Sequence, residues 1–161
     1  MQRVSSFLRD AGADARIEEF SAGTPTAAEA AAAVGCALDQ IVKTLVFVCE
    51  GGAVVALVPG DRRADPAKVA RAAGTERVRV AKADEVQAAT GFEPGAVAPF
   101  PLPDVETVLM ERALLRHKVV WAGAGSEKYL VGLSPADLSR LARARTLDIA
   151  TDYDSPGEKE N

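Results

Sequence analysis

Apolar and polar positions alternate along this chain in two periods, and the switches between them mark its elements. Val4, Phe7, Leu8 and Ala11 recur at the spacing of one helical face and stop at Gly12, predicting an amino-terminal helix. A short strand over Arg16 to Phe20 follows. Thr26 and Glu29 form a capping box that opens an alanine-rich helix from Ala27 to Val34, with Gly35 as its stop. The alanines reflect helix propensity, not a repeat. Ile41 to Val48 and Val54 to Val58 are apolar, β-branched runs joined by Glu50-Gly51-Gly52, which predicts a hairpin.

Asp65-Pro66 opens a helix to Ala73, with Gly74 after it, and Arg77 to Val80 alternates like a half-buried strand. Asp84 caps a further helix ending at Gly91. Gly91 to Asp104 is too rich in glycine and proline for a helix or a central strand and is expected to form a long, stiff loop. Strands are expected at Val105 to Met110, Lys118 to Ala122 and Tyr129 to Leu133, with a short helix over Glu111 to Arg116 and a turn at Gly123 to Ser126. Ser134-Pro135 begins a last helix, through Leu138 to Ala144. About seven strands and about five helices that do not alternate one for one predict a mixed α+β fold, with a central mixed, mostly antiparallel sheet flanked by helices. Residues 1–147 form one expected domain, and 148–161 an acidic, mobile tail.

Composition narrows the function classes. A chain of 161 residues, 48% hydrophobic and 26% charged, is the size of one domain. No apolar stretch is long enough to span a membrane and no secretory signal is evident, so a cytoplasmic location without membrane association is expected. The net charge of −4 arises in the tail, leaving a neutral body. Within it, Arg62, Arg63, Lys68, Arg71, Arg77, Arg79 and Lys82 outnumber Asp65 and Glu76, which is either a nucleic-acid-facing patch or a solvated face. Cys36 and Cys49 lack CxxC spacing and are expected to be small core residues. With His117 as the sole histidine, the ligands for a metal centre are too few, and no metal is expected.

No phosphate loop, dinucleotide fingerprint or GxSxG elbow is present, so no cofactor is expected either. A triad would depend on His117, which reads more simply as a structural histidine. What remains is Lys43, one cation inside the apolar run Ile41 to Val48. Burying an ammonium is costly unless something anionic or polar meets it. Lys43 is therefore either a site residue or a lysine that snorkels or pairs with a structural carboxylate. The loop carrying Gly95 to Pro99 could present backbone N–H groups to a developing oxyanion, or be a rigid connection only.

These residues, taken in order, resemble the free-standing aminoacyl-tRNA deacylases related to the YbaK proteins and to the editing domain inserted in bacterial prolyl-tRNA synthetases. Gln40 to Phe47 resembles the family's signature strand with its essential lysine, at Lys43. Thr90-Gly91-Phe92 with Gly95, Ala96, Val97, Ala98 and Pro99 resembles its glycine-rich segment and GxxxP loop, and Gly123-Ala124-Gly125-Ser126 its glycine–serine turn. Pro101 and Glu111 stand where glycine and aspartate are common.

The resemblance implies a partly barrel-like sheet and a mischarged tRNA as substrate, tRNA(Pro) species favoured, with no DNA as partner and an aminoacyl-tRNA synthetase as a possible associate. It implies Lys43 as the catalytic residue. Substrate would be held by Gly91, Gly95, Ala96, Val97, Ala98, Pro99, Gly123, Gly125 and Ser126, with Arg62, Arg63, Lys68 and Arg71 toward the tRNA. The alternatives are a non-catalytic module that binds aminoacyl ends or a synthetase, and hydrolysis of another activated ester.

Overall fold

The computed structural model describes residues 1–24 and 26–151. Five α-helices, α1 (Gln2–Ala11), α2 (Ala27–Val34), α3 (Pro66–Ala73), α4 (Ala83–Thr90) and α5 (Pro135–Ala142), surround one sheet. Its strands are β1 (Arg16–Glu19), β2 (Ile41–Cys49), β3 (Gly52–Pro59), β4 (Arg79–Val80), β5 (Thr107–Glu111), β6 (Val120–Gly123), β7 (Tyr129–Leu133) and β8 (Arg145–Leu147). They lie in the order β1-β7-β6-β2-β3-β5-β8, with β4 also on β2. Pairings β1–β7, β6–β7, β2–β3 and β2–β4 are antiparallel, and β2–β6, β3–β5 and β5–β8 parallel. The fold is thus α/β with a mixed sheet.

The two-residue period of the central strands buries both faces. Val42, Val46, Val55, Leu57, Val108 and Met110 pack toward Val4 and Leu8 of α1, Leu138 of α5 and Phe100. Phe47, Val54, Ala56, Val58 and Leu109 pack on the other face, toward Val69 of α3 and Ile149. The caps explain the helix limits: Thr26 accepts from the Glu29 N–H at 3.1 Å, Asp65 from the Ala67 N–H at 2.9 Å, and Ser134 from the Asp137 N–H at 3.1 Å. Trp121 lies over Gly132, where a Cβ would come within 2.8 Å of the indole.

Five expectations are corrected. An eighth strand, β8, lies between the expected end of the last helix at Ala144 and the expected tail from Asp148; Arg145-Thr146-Leu147 has no apolar run and is a strand only because it pairs with β5. The tail expected from Asp148 starts inside the fold: Ile149 and Ala150 are fully buried and the Thr151 N–H donates to the Arg63 carbonyl at 2.8 Å. Its remainder, 152–161, lies outside the described residues. The expected strand at Arg77 to Val80 shrinks to a two-residue edge pairing with both side chains exposed. There the Arg79 guanidinium grips Glu85 and holds its carboxyl down at about 2. Glu85, not Asp84, makes the start of α4, accepting from the Lys82 N–H at 2.9 Å. Finally, Cys36 and Cys49 are free and half-buried, not core residues. Among the described residues no helix is long and apolar enough to cross a membrane.

Candidate functional site

The sheet is interrupted at Lys43. On one edge, β2 pairs with β3 along nearly its whole length, Lys43 opposite Val58. On the other edge, β6 pairs with Ile41 and Val42 only, and β4 with Phe47 and Val48 only. Among the described residues, Lys43, Thr44 and Leu45 thus have no strand neighbour on that side. Backbone groups alternate between the edges of a strand, and here the direction is settled by two bonds. The Ile41 carbonyl accepts from Gly60 on the β3 side, and the Val46 carbonyl from Ala81 on the other, at 2.8 and 3.0 Å. Thr44, two residues from Val46, therefore aims its backbone N–H and C=O into the gap.

A cavity of about 260 Å³ occupies that gap. Ala27, Ala30, Ile41, Leu45 and Leu130 make it apolar, and Lys43, Thr44, Ser126 and Glu127 bring polar groups. Two glycine-containing turns complete the wall: Gly95 to Val97, where Gly95 takes φ 82°, and Gly123 to Glu127. Positive φ favours glycine at position 95, which lets the chain turn back over the cavity. Thr24 ties the second turn down, its N–H and hydroxyl both donating to the Glu127 carbonyl at 2.7 and 3.1 Å.

Lys43 is half-buried, and its Nζ donates to the Arg62 carbonyl. That contact is the polar compensation that a cation in an apolar run requires. Among the described residues Thr44 Oγ1 is buried without a hydrogen-bond partner, although it belongs to a residue that lines the cavity. Such a group costs about 1–3 kcal/mol unless a ligand or water satisfies it.

Of the residues expected to hold substrate, Gly95, Ala96, Val97, Gly123 and Ser126 line the cavity together with Lys43. Four do not. Ala98 and Pro99 are buried and run with Phe100 into the core, anchoring the loop without lining the cavity. Gly91 ends α4 against the Arg3 guanidinium, and Gly125 packs on the Phe92 ring. The Ala96 N–H closes a turn onto the Glu93 carbonyl at 3.0 Å, which commits one of the donors expected to face the aminoacyl group. Thr24, Ala30, Thr44 and Leu130 escaped sequence reasoning. Only Thr44 left a trace there, as a second polar residue in an apolar strand.

The basic stretch divides. Arg62 turns inward: its side chain is 11% exposed, 3.6 Å from the Glu111 carboxylate, and its Nε donates to the Thr151 carbonyl at 2.7 Å. Lys68 bridges Asp148 at 3.0 Å and the Ala150 carbonyl at 2.9 Å, and the Asp148 carboxyl is held below its usual range by that lysine. These two cations staple the C-terminal segment, which corrects their expected place on an outward tRNA-facing patch. Arg63 is half-buried, and Arg71 is exposed on the last turn of α3. His117 sits away from the cavity, its Nε2 3.6 Å from Asp39. A larger hollow of about 680 Å³, under the β2–β3 turn between Cys49, Arg77 and Ala88, contains none of the expected site residues. Among the described residues no three His, Cys, Asp or Glu side chains gather as metal ligands.

A mixed sheet opened at a lysine, walled by small apolar side chains and two glycine-containing turns, defines an α/β domain with a compact cationic pocket. The chain belongs to the family of the aminoacyl-tRNA editing domain, whose model matches residues 21–141. It is 31% identical over 140 residues to the uncharacterized protein YwhH of Bacillus subtilis (strain 168), covering 86% of this chain and 88% of that one. It is 32% identical over 128 residues to a proline–tRNA ligase of Nitratidesulfovibrio vulgaris (strain DP4), covering 80% of this chain but 21% of the ligase. A solved structure described as a candidate trans-editing enzyme for prolyl tRNA synthetase superposes with a TM-score of 0.87 at 37% identity, covering 93% of this chain and 96% of that one.

Proposed function

We propose that this protein is a free-standing deacylase that hydrolyses the ester between a wrongly attached amino acid and the 3′-terminal ribose of tRNA, with tRNA(Pro) species as favoured substrates. The observation that carries the reading is the gap in the sheet beside Lys43, where an ammonium, the Thr44 polar groups and small apolar walls face one cavity. Membership of the editing-domain family and the name of the structure that superposes on it support the same reaction. At about 260 Å³ the cavity suits a small amino-acid moiety.

Water attacks the ester carbonyl carbon, the bond from that carbon to the ribose oxygen breaks, and the ribose oxygen leaves with a proton. The Lys43 ammonium stabilises charge on the carbonyl oxygen or the terminal phosphate, and the Gly95–Val97 turn confines the aminoacyl group. A ribose hydroxyl of the substrate orients the water, so that catalysis rests on positioning more than on a side-chain base. Arg63 and Arg71 are the remaining candidates for contact with the acceptor end.

The test is a panel of radiolabelled alanyl-, cysteinyl- and seryl-tRNA(Pro) at low enzyme concentration. Release of amino acid far beyond the enzyme concentration from one of them is expected. Absence of turnover from every species would replace the deacylase by a binding module, and equal turnover of a small ester lacking the tRNA body would replace its substrate.

Thr44→Val separates binding from folding. The isosteric methyl leaves no buried hydroxyl unsatisfied, so thermal stability should hold or rise. The Michaelis constant for the mischarged tRNA should increase about tenfold, the worth of one hydrogen bond in a desolvated site. An unchanged Michaelis constant would remove Thr44 from the site.

A further inference from the structure

One buried ionisable group takes no part in the chemistry above. Glu111, the last residue of β5, is 1% exposed. Its Oε1 accepts from the Ile149 and Ala150 N–H groups, both at 3.0 Å, and its Oε2 from the Ala113 N–H at 2.7 Å. The Arg62 guanidinium lies 3.6 Å from Oε2. A carboxylate so placed compensates the burial of the arginine and gathers two distant segments, 61–65 and 149–151, around one point.

Those segments are also joined directly. The Asp65 N–H donates to the Ile149 carbonyl at 2.8 Å, the Thr151 N–H to the Arg63 carbonyl at 2.8 Å, and the Arg62 Nε to the Thr151 carbonyl at 2.7 Å. Ala64 and Ala150 form an antiparallel bridge. Arg62 is therefore held at both ends: its side chain by Glu111 and Thr151, and its backbone by its neighbours' pairing. The carbonyl of this same residue receives the Lys43 ammonium.

We infer that Glu111 is a positioning residue for Lys43, acting through Arg62: the buried carboxylate fixes Arg62, and the Arg62 carbonyl fixes where the Lys43 ammonium stands at the cavity. Removing the negative charge while keeping the shape leaves the guanidinium without its counter-charge and turns an amide N–H₂ toward backbone donors. Arg62 and its carbonyl then shift, and the ammonium shifts with them. Substrate still enters, because the apolar walls and the two glycine-containing turns are untouched, but the cation is out of place when charge develops. This inference rests on the deacylase reading for its kinetic part only.

Glu111→Gln and Arg62→Met, each in the full chain, test it by two readouts. With the mischarged tRNA that the wild type turns over, both variants should lower kcat by about 10²-fold, the effect of misplacing a catalytic group by an ångström, while KM stays within about twofold. The double variant should be no worse than either single one, because both break the same link. Independently of activity, the Lys43 Nζ resonance, assigned by its loss in Lys43→Arg, should move in both variants. Unchanged kcat with an unmoved resonance, whatever happens to thermal stability, overturns the inference, as do losses that multiply in the double variant. If wild type turns over no aminoacyl-tRNA, the deacylase reading fails and the resonance alone decides the coupling. Should Glu111→Gln not fold, Arg62→Met, which keeps the backbone carbonyl, decides it.

Discussion

Lys43→Ala should lower deacylation by about 10²–10³-fold in kcat while the protein remains as stable as wild type. The rate figure is that of removing one preorganised electrostatic group from a partly desolvated site. The stability expectation follows from position: Lys43 is half-buried on a strand whose other edge is paired along nearly its whole length, and its Nζ donates to a backbone carbonyl. Losing this hydrogen bond costs about 1 kcal/mol, and the cost of burying a cation is removed with it. Single-turnover deacylation and thermal denaturation on the same preparation check both halves. A variant that keeps its rate would move the catalytic role off Lys43; one that loses rate and fold together would reduce the lysine to a structural cation.

Lys43→Arg refines the same experiment. Guanidinium is longer, planar and presents its donors in a fork, so it cannot occupy the same point between the Arg62 carbonyl and the cavity. Rate should fall nearly as far as with alanine. Full activity in the arginine variant would mean that charge alone is needed, and not a compact ammonium held at one place.

Which parts of this arrangement were legible in the sequence follows from how local their causes are. The β2–β3 hairpin was readable because its apolar runs and its glycine turn lie within one stretch of chain, and Lys43 was visible as the exception in that run. The loop after α4 was readable as a loop, but its division into cavity wall and anchor was not. Gly95 to Val97 line the cavity whereas Ala98 to Phe100 are buried, and only the packing of Phe100 against α1 decides that. Thr44 was hidden for a different reason: whether a strand edge is open depends on where β6 and β4 stop, which is a property of distant turns. β8 and Glu111 were the least readable. Arg145 to Leu147 becomes a strand, and Glu111 a buried carboxylate, only when residues far apart in the chain meet. The cations at Arg62 and Lys68 were misread as a surface face because their partners, Glu111 and Asp148, lie remote in sequence.

That remote meeting point carries the largest expected effect on stability. Glu111→Ala should destabilise the fold by about 3–5 kcal/mol, the cost of breaking a buried charge pair by removing one partner. Alanine leaves the Ile149, Ala150 and Ala113 N–H groups without their acceptor and Arg62 without its counter-charge, in a place where water does not reach. It also opens a void beneath β8 and the end of β5. At about 2–4 °C per kcal/mol for a chain of this length, the melting temperature should fall by roughly 6–20 °C. Glu111→Gln, which keeps the volume and one acceptor oxygen, should lose distinctly less. A melting temperature within about 2 °C of wild type for the alanine variant would mean that the segment at 149–151 does not depend on the carboxylate. The coupling from Glu111 through Arg62 to Lys43 would then have no structural anchor. Loss of stability graded from glutamine to alanine is the result that links the C-terminal crossing of the chain, remote from the cavity, to the integrity of the site.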